Sequence, residues 1–194
     1  MFSENQDMFV NDGLYEKDGI KIHAYYQKIT SAETCRNQKA SGAKLLVEFV
    51  EKNNIAGQVK VLDFGGGKYA QSEQFLLDNN IECGVYDPYN RTFDQNVEAL
   101  SKKYNFLMCN NVLNVLTDDV LPNAINDLKI VSKICDAQYI LITVYERDKS
   151  GNGSITGNDS YQRNEKTQAY IAHLSKVFGS VEKFKSAIIV KTDA

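Results

Sequence analysis

The chain has little of what several function classes require. Only two of its 194 residues are proline, too few for a fibrous or Pro-rich disordered protein. No apolar run approaches the ~20 residues needed to cross a bilayer. The polar N-terminus, Met1-Phe2-Ser3-Glu4-Asn5-Gln6-Asp7, has neither the basic nor the apolar part of a signal peptide, so a cytoplasmic protein with no membrane partner is the expectation. Positive charge is not in excess either: the formal net charge is -3, which argues against a surface that coats nucleic acid, although a local basic patch is compatible with it. The four cysteines, Cys35, Cys83, Cys109 and Cys135, have neither metal-site nor redox spacing and read as reduced thiols. His, Cys and acidic residues are nowhere spaced as ligands on one element, so no metal is expected. A Gly-x-Ser-x-Gly elbow is lacking, which disfavours a Ser-His-Asp hydrolase.

What is present describes one globular domain. A 43% hydrophobic and 24% charged chain of this length can bury roughly 70% of the surface its unfolded form exposes. Residues 1–40, with Tyr15, Tyr25 and Tyr26 and no sustained period, read as an N-terminal arm or cover, and residues 41–194 as the folded domain. Leu45, Leu46, Phe49 and Val50 fall on one helical face between Ser41 and Asn53, and Gly57 marks the turn into a first strand. Ala70 to Asp78 reads as a short helix and Ile81 to Tyr86 as a second strand. Strand, helix, strand in about 30 residues is a right-handed parallel unit. Phe93, Val97, Leu100 and Tyr104 mark a helix stripe, followed by a third apolar run, Phe106-Leu107-Met108-Cys109, that breaks at Asn110-Asn111. Thr117-Asp118-Asp119 looks like the start of a helix carrying Leu121, Ala124, Ile125, Leu128 and Val131. The run from Tyr139 to Tyr145 is apolar almost throughout, as a mid-sheet strand covered on both faces should be. Glu146 to Asp159 is too long for a mere connector and reads as a functional or mobile loop beside the site. A helix from near Ser160 to Gly179, with Tyr170, Leu174 and Val177 inward, precedes a strand pair, Val181–Lys185 and Ala187–Lys191, closing antiparallel across Ser186. The fold class is therefore α/β: a three-layer α/β/α sandwich, Rossmann-like, with a mostly parallel sheet and an antiparallel C-terminal strand pair.

The most informative stretch is Val59-Lys60-Val61-Leu62-Asp63-Phe64-Gly65-Gly66-Gly67, an apolar strand run that stops at three glycines before a helical pattern. Such a turn lets a ligand lie against bare backbone. About 20 residues further on, the second strand ends in Asp87, where a carboxylate can accept both hydroxyls of a ribose. A nucleoside-containing cofactor follows. Gly65-x-Gly67-x-x-Ala70 also satisfies the dinucleotide fingerprint, which keeps an NAD(P)-dependent oxidoreductase as an alternative. Asp63 weighs against it, because dinucleotide sites usually hold an apolar residue two positions before the first glycine.

On these residues the sequence resembles the class I S-adenosylmethionine-dependent methyltransferases, whose first motif runs acid-x-Gly-x-Gly-x-Gly. Asp63-Phe64-Gly65-Gly66-Gly67 aligns with its first five positions, and the third family glycine falls on Tyr69. Asp87 matches the acid of the second motif, and Asn110-Asn111-Val112-Leu113-Asn114 the loop after the fourth strand. The likeness covers about residues 55–194 and is narrower still to small methyltransferases of bacteria and their phages. The family's third strand, which often supplies a contact to the adenine, is not visible between Asn90 and Asn105 and is expected to be shortened or missing.

The resemblance implies S-adenosylmethionine as cofactor and methyl transfer by in-line displacement. Asp63, Gly65, Gly66, Gly67, Asp87, Asn110 and Asn111 would bind the cofactor, with Asp63 toward its ammonium and Asp87 on the ribose diol. Tyr25, Tyr26, Tyr145, Tyr161 and Arg163 are candidates for the acceptor side, and no general base is assigned. The loop after the third apolar run lacks the Asx/Ser-Pro-Pro-aromatic motif of amino-methylating DNA enzymes, and no Pro-Cys nucleophile is present. The acceptor leans to a small molecule. A cofactor-binding regulatory or partner protein without catalysis is the rival of a different class.

Overall fold

The apolar runs become strands and the stripes between them become helices, which fixes where ligand-facing loops must lie. The computed structural model describes the backbone of residues 14–17 and 20–23 and all of residues 40–156 and 161–193. Strands β1 (Leu14–Lys17) and β2 (Ile20–His23) form an antiparallel pair. The domain then runs α1 (Ser41–Lys52), β3 (Lys60–Phe64), α2 (Gln71–Asp78), β4 (Glu82–Tyr86), α3 (Phe93–Leu100), β5 (Phe106–Asn110), α4 (Leu121–Ile134) and β6 (Tyr139–Thr143). After a short antiparallel pair, β7 (Ser154–Ile155) and β8 (Tyr161–Gln162), come α5 (Thr167–Leu174), β9 (Ser180–Phe184) and β10 (Ala187–Lys191).

The main sheet has six strands in the order β4-β3-β5-β6-β10-β9. The first four are parallel, and β10 runs antiparallel to both β6 and β9. The expected strand pair and the mid-sheet placing of β6 are thus observed. From β4 the chain returns through α3 alone to β5, on the far side of β3, so the third strand of the fuller family fold is missing and β4 forms the edge.

Handedness then assigns the faces. Crossovers between parallel strands are right-handed, so reversing direction in the sheet moves the connecting helix to the opposite face. Leu76 of α2 packs with Ala43, Leu46 and Phe49 of α1 on Val61, Phe106, Met108 and Leu141. Ala99 and Leu100 of α3, Leu128 of α4 and Tyr170 of α5 share the other face with Leu62, Leu107, Ile140, Ile142 and Ile188. The reversal leaves a crevice at the carboxyl ends of β3 and β5, the switch point where open α/β sheets bind ligands.

Three boundaries differ from expectation. The helix foreseen at Thr117 starts at Leu121, because Thr117 O accepts from the amides of Val120 and Leu121 in a preceding turn. Tyr104 is buried but lies beyond α3, which ends at Leu100; its amide bonds Cys135 O at 2.8 Å. The helix foreseen from Ser160 starts at Thr167, since Tyr161 and Gln162 pair with Ile155 and Ser154 as strands.

Candidate functional site

Three chain ends meet at the crevice. At the end of β3 the amide of Gly65 donates to Tyr86 O of β4 (2.7 Å), and Gly65 and Gly67 take φ of +78° and +76°. A Cβ on Gly65 would fall 2.5 Å from Val112 Cγ2 and one on Gly66 2.9 Å from Asp63 Oδ2, so the turn is stripped both for its backbone angles and for what lies against it.

Asp87 holds that turn. Its Oδ2 accepts from the Gly67 amide (2.8 Å) and from Asn90 Nδ2 (3.1 Å), and its Oδ1 from the amides of Tyr89 (2.9 Å) and Asn90 (3.0 Å). The backbone of Asp87 is fixed in turn by Asn96, whose Oδ1 accepts from the Asp87 amide at 2.9 Å and whose Nδ2 donates to Asp87 O at 3.1 Å. Gly67 O accepts from Arg91 Nε (3.2 Å), and Arg91 also pairs with Glu73 at 2.8 Å. Asn90, Arg91 and Asn96 were not singled out from the sequence. Asp87-Pro88-Tyr89-Asn90 is a legible turn signal, but nothing in spacing shows that the turn curls back onto the glycines.

Asp63 is the anomaly of the core. It sits on β3 with 2% exposure, and its Oδ1 has no hydrogen-bond partner. Burial pushes its carboxyl up to about 7; the neighbouring Asn110 amide draws it down in part, while Asp87 and Glu73 add repulsion. Asn110, at the end of β5, accepts through Oδ1 from Thr143 Oγ1 (2.9 Å), and its amide faces Asp63. Asn111 stands exposed at φ 55°, its amide bound to Thr143 O at 2.9 Å. Asp63, Gly65, Gly66, Gly67, Asp87 and Asn110 are therefore brought together, with Asn111 at the rim. The Asp63 Oδ1, buried and without a partner, is what a bound polar donor would satisfy.

On the β6 side the arrangement is different. Tyr145 is 59% exposed, and its carbonyl accepts from Gln162 Nε2 (2.8 Å). Gln162 Oε1 in turn accepts from Asn114 Nδ2 (3.2 Å), tying this segment to the loop after β5. Tyr161 lies over Gly153, where a Cβ would meet its Oη. Arg163 is buried, and its guanidinium is engaged by Leu116 O (3.1 Å), Asp118 (2.7 Å) and Glu165 (3.0 Å). Glu146 Oε1 accepts from the amide (2.6 Å) and hydroxyl (2.7 Å) of Thr167 at the start of α5, which with Lys149 holds its carboxyl down at about 2. The described parts of the segment from Glu146 to Arg163 are thus pinned by side chains. Tyr25 and Tyr26 lie outside the described residues. Among the described residues no group of His, Cys, Asp and Glu side chains is placed to hold a metal ion.

No protein-family model and no curated protein sequence matches the chain. Solved structures do. The chain is similar to the 1,6-didemethyltoxoflavin-N1-methyltransferase of Burkholderia thailandensis, solved with 1,6-didemethyltoxoflavin and S-adenosylhomocysteine, at a TM-score of 0.54 and 13% identity, over 79% of this chain and 80% of that one. The chain has the class I S-adenosylmethionine-dependent methyltransferase fold. Weaker likenesses to methyltransferases include the glycopeptide N-methyltransferase MtfA (TM-score 0.48, 9% identity, 81% of this chain and 95% of that one). Another is a TehB-like enzyme of Corynebacterium glutamicum (0.45, 14%, 77% and 84%). Within this methyltransferase fold the glycine turn, Asp87 and the Asn110 loop occupy the carboxyl ends of the parallel strands, and no helix among the described residues is long and apolar enough to cross a membrane.

Proposed function

We propose that the protein is an S-adenosylmethionine-dependent methyltransferase of the cytoplasm acting on a small-molecule acceptor. The observation that carries this is the buried Asp63 carboxylate, its Oδ1 unpartnered, set beneath a glycine turn that Asp87 anchors. The residues fit the cofactor: Asp63 would receive its ammonium, the Gly65–Gly67 backbone would lie along its methionine part, and Asp87 would take the ribose. Of the four donors on Asp87, three are backbone amides and one is the Asn90 side chain. Asn90 Nδ2 is therefore the group that a ribose hydroxyl would displace. A dinucleotide fits less well, because its pyrophosphate would lie near a buried carboxylate instead of a bare helix start.

The bound cofactor would supply an activated methyl on a sulfonium. The protein's share is orientation, and holding two reactants in line is worth ~7 to 11 kcal/mol of barrier. Tyr145, exposed two residues beyond β6, and Tyr161, next to the Gln162 that bonds the Tyr145 carbonyl, would border the acceptor; Arg163 would support that wall through Leu116, Asp118 and Glu165. One observation favours a binding protein without catalysis: Glu146, Gln162 and Arg163 are all engaged within the protein.

Titration with S-adenosylmethionine, S-adenosylhomocysteine, NADH and NADPH tests the cofactor. Saturable binding of the adenosyl ligands alone is expected, and tighter NAD(P)H binding would reverse the reading. Incubation with labelled cofactor and a low-molecular-weight metabolite extract separates enzyme from binder: a labelled small product is expected of the enzyme, none of the binder.

A further inference from the structure

Strand β4 is the outer strand of the main sheet, and among the described residues it pairs with β3 alone. Peptide groups along a strand turn alternately to its two sides. Gly65 N donates to Tyr86 O, so Tyr86, Gly84 and Glu82 turn toward β3, while Cys83, Val85 and Asp87 turn outward. Asn96 of α3 takes both outward groups of Asp87. Among the described residues those of Cys83 and Val85 have no partner, and Cys83 and Gly84 are only half-buried. An edge of this kind is a template for another strand, and proteins commonly blunt it with Pro, Lys or a bulge. Glu82-Cys83-Gly84-Val85-Tyr86 has none of the three.

The segment is complementary to itself. Laid antiparallel against a second copy about a two-fold axis at Gly84, Cys83 faces Val85 of the other chain and Val85 faces its Cys83, which pairs every outward N–H and C=O of these two residues in both copies. The axial pair, Gly84 with Gly84, is then the close, non-hydrogen-bonded kind, with Cα atoms about 4.5 Å apart. Tyr104 lies over this glycine: a Cβ on Gly84 would collide with Tyr104 Oη, a buried hydroxyl without a hydrogen-bond partner. The axis brings two such hydroxyls together, one to donate to the other. A short strand pair is small beside the roughly 1,200–2,000 Å² that a stable interface buries, and α2 and α3, which flank β4, supply the rest. Leu77, 61% exposed, follows Glu73 by one turn on the side of α2 from which Glu73 reaches Arg91 beyond β4; on α3 the half-buried Val97 adds apolar surface. We propose that β4 is a dimer interface at which two copies of this chain join their six-stranded sheets into one.

The test is sedimentation velocity of the full-length protein over a concentration series, joined to a cross-link that reads the register. The wild type is expected to sediment at twice the chain mass, and Leu77→Lys, a change on an exposed helix position, to raise the dimer dissociation constant on the order of tenfold. Val85→Cys sets a thiol opposite Cys83 of the other copy at a Cα spacing of about 5.5 Å, within disulfide range. With diamide as oxidant it should yield a covalent dimer on non-reducing gels, well above the wild type and above Glu82→Cys, whose side chain lies on the other face of the sheet. If circular dichroism shows that Val85→Cys does not fold, hydrogen exchange of the wild type takes its place: the Cys83 and Val85 amides should exchange more slowly as rising concentration forms the dimer. A protein that stays monomeric at about 100 μM would overturn the assignment. So would a dimer in which Val85→Cys cross-links no better than Glu82→Cys, or in which these two amides exchange at the same rate at every concentration.

Discussion

Replacing Asp63 by Asn should make the protein more stable and a poorer binder at once. Burial raises the carboxyl from 3.8 to about 7. About three pKa units correspond to ~4 kcal/mol between the protonated and ionised forms. The native state then binds more protons than the unfolded chain between pH 4 and 7, so stability falls as pH rises through that window. A neutral amide at this position carries no such cost. For a chain of this size ~4 kcal/mol is on the order of 10 °C in Tm, so Asp63→Asn should melt higher than the wild type at pH 7.5, with the difference shrinking toward pH 4. Binding should move the other way. A ligand ammonium selects the ionised carboxylate, whose population grows as pH rises toward and through about 7, so affinity should rise on the order of tenfold between pH 5.5 and 7.5. The ligand's own amino group titrates near 7.7 to 8.0, so measurement stops below it. Differential scanning calorimetry and titration on both proteins at four pH values check this. A melting difference that does not change with pH, or Asp63→Asn binding with wild-type affinity at pH 7.5, would refute the reasoning.

Asp87→Ala removes four hydrogen bonds and leaves the Gly67 amide buried without an acceptor, so cofactor affinity should drop at least ~10-fold and stability by roughly 1–3 kcal/mol, measured by titration and urea unfolding. Gly65→Ala combines a positive φ with a 2.5 Å approach to Val112, and should lower stability by ~1–3 kcal/mol and abolish binding; wild-type affinity would show that the turn does not touch the ligand. Arg163→Met should cost roughly 3 kcal/mol, since it strips a buried cation from Leu116 O, Asp118 and Glu165, while cofactor affinity stays within ~3-fold; a larger loss would place Arg163 in the cofactor site.

Much of the fold was legible because each parallel strand is an apolar run ended by a turn signal: Leu62-Asp63-Phe64 before glycines, Val85-Tyr86 before Asp-Pro, Met108-Cys109 before paired asparagines. The missing third strand was readable too, since no second apolar run separates Val97 from Phe106. Helix starts were less legible. Thr117-Asp118-Asp119 has the composition of a cap, yet local turn bonds use Thr117 first, and the weak two-residue strand Tyr161–Gln162 has no periodicity to read. Of the site, the glycines, Asp63 and Asp87 were visible by spacing. The Asn96 clasp on Asp87, the Arg91 bond to Gly67 and the approach of Gly42 to Asn110 depend on contacts between distant segments, which a linear pattern does not encode.

The account stands most directly on a titration of the purified protein with S-adenosylhomocysteine, read by heat and by melting temperature. Saturable one-to-one binding, accompanied by a rise in Tm, is the predicted result. Neither heat nor a shift with millimolar ligand would contradict the claim that the crevice between β3 and β5 holds this cofactor.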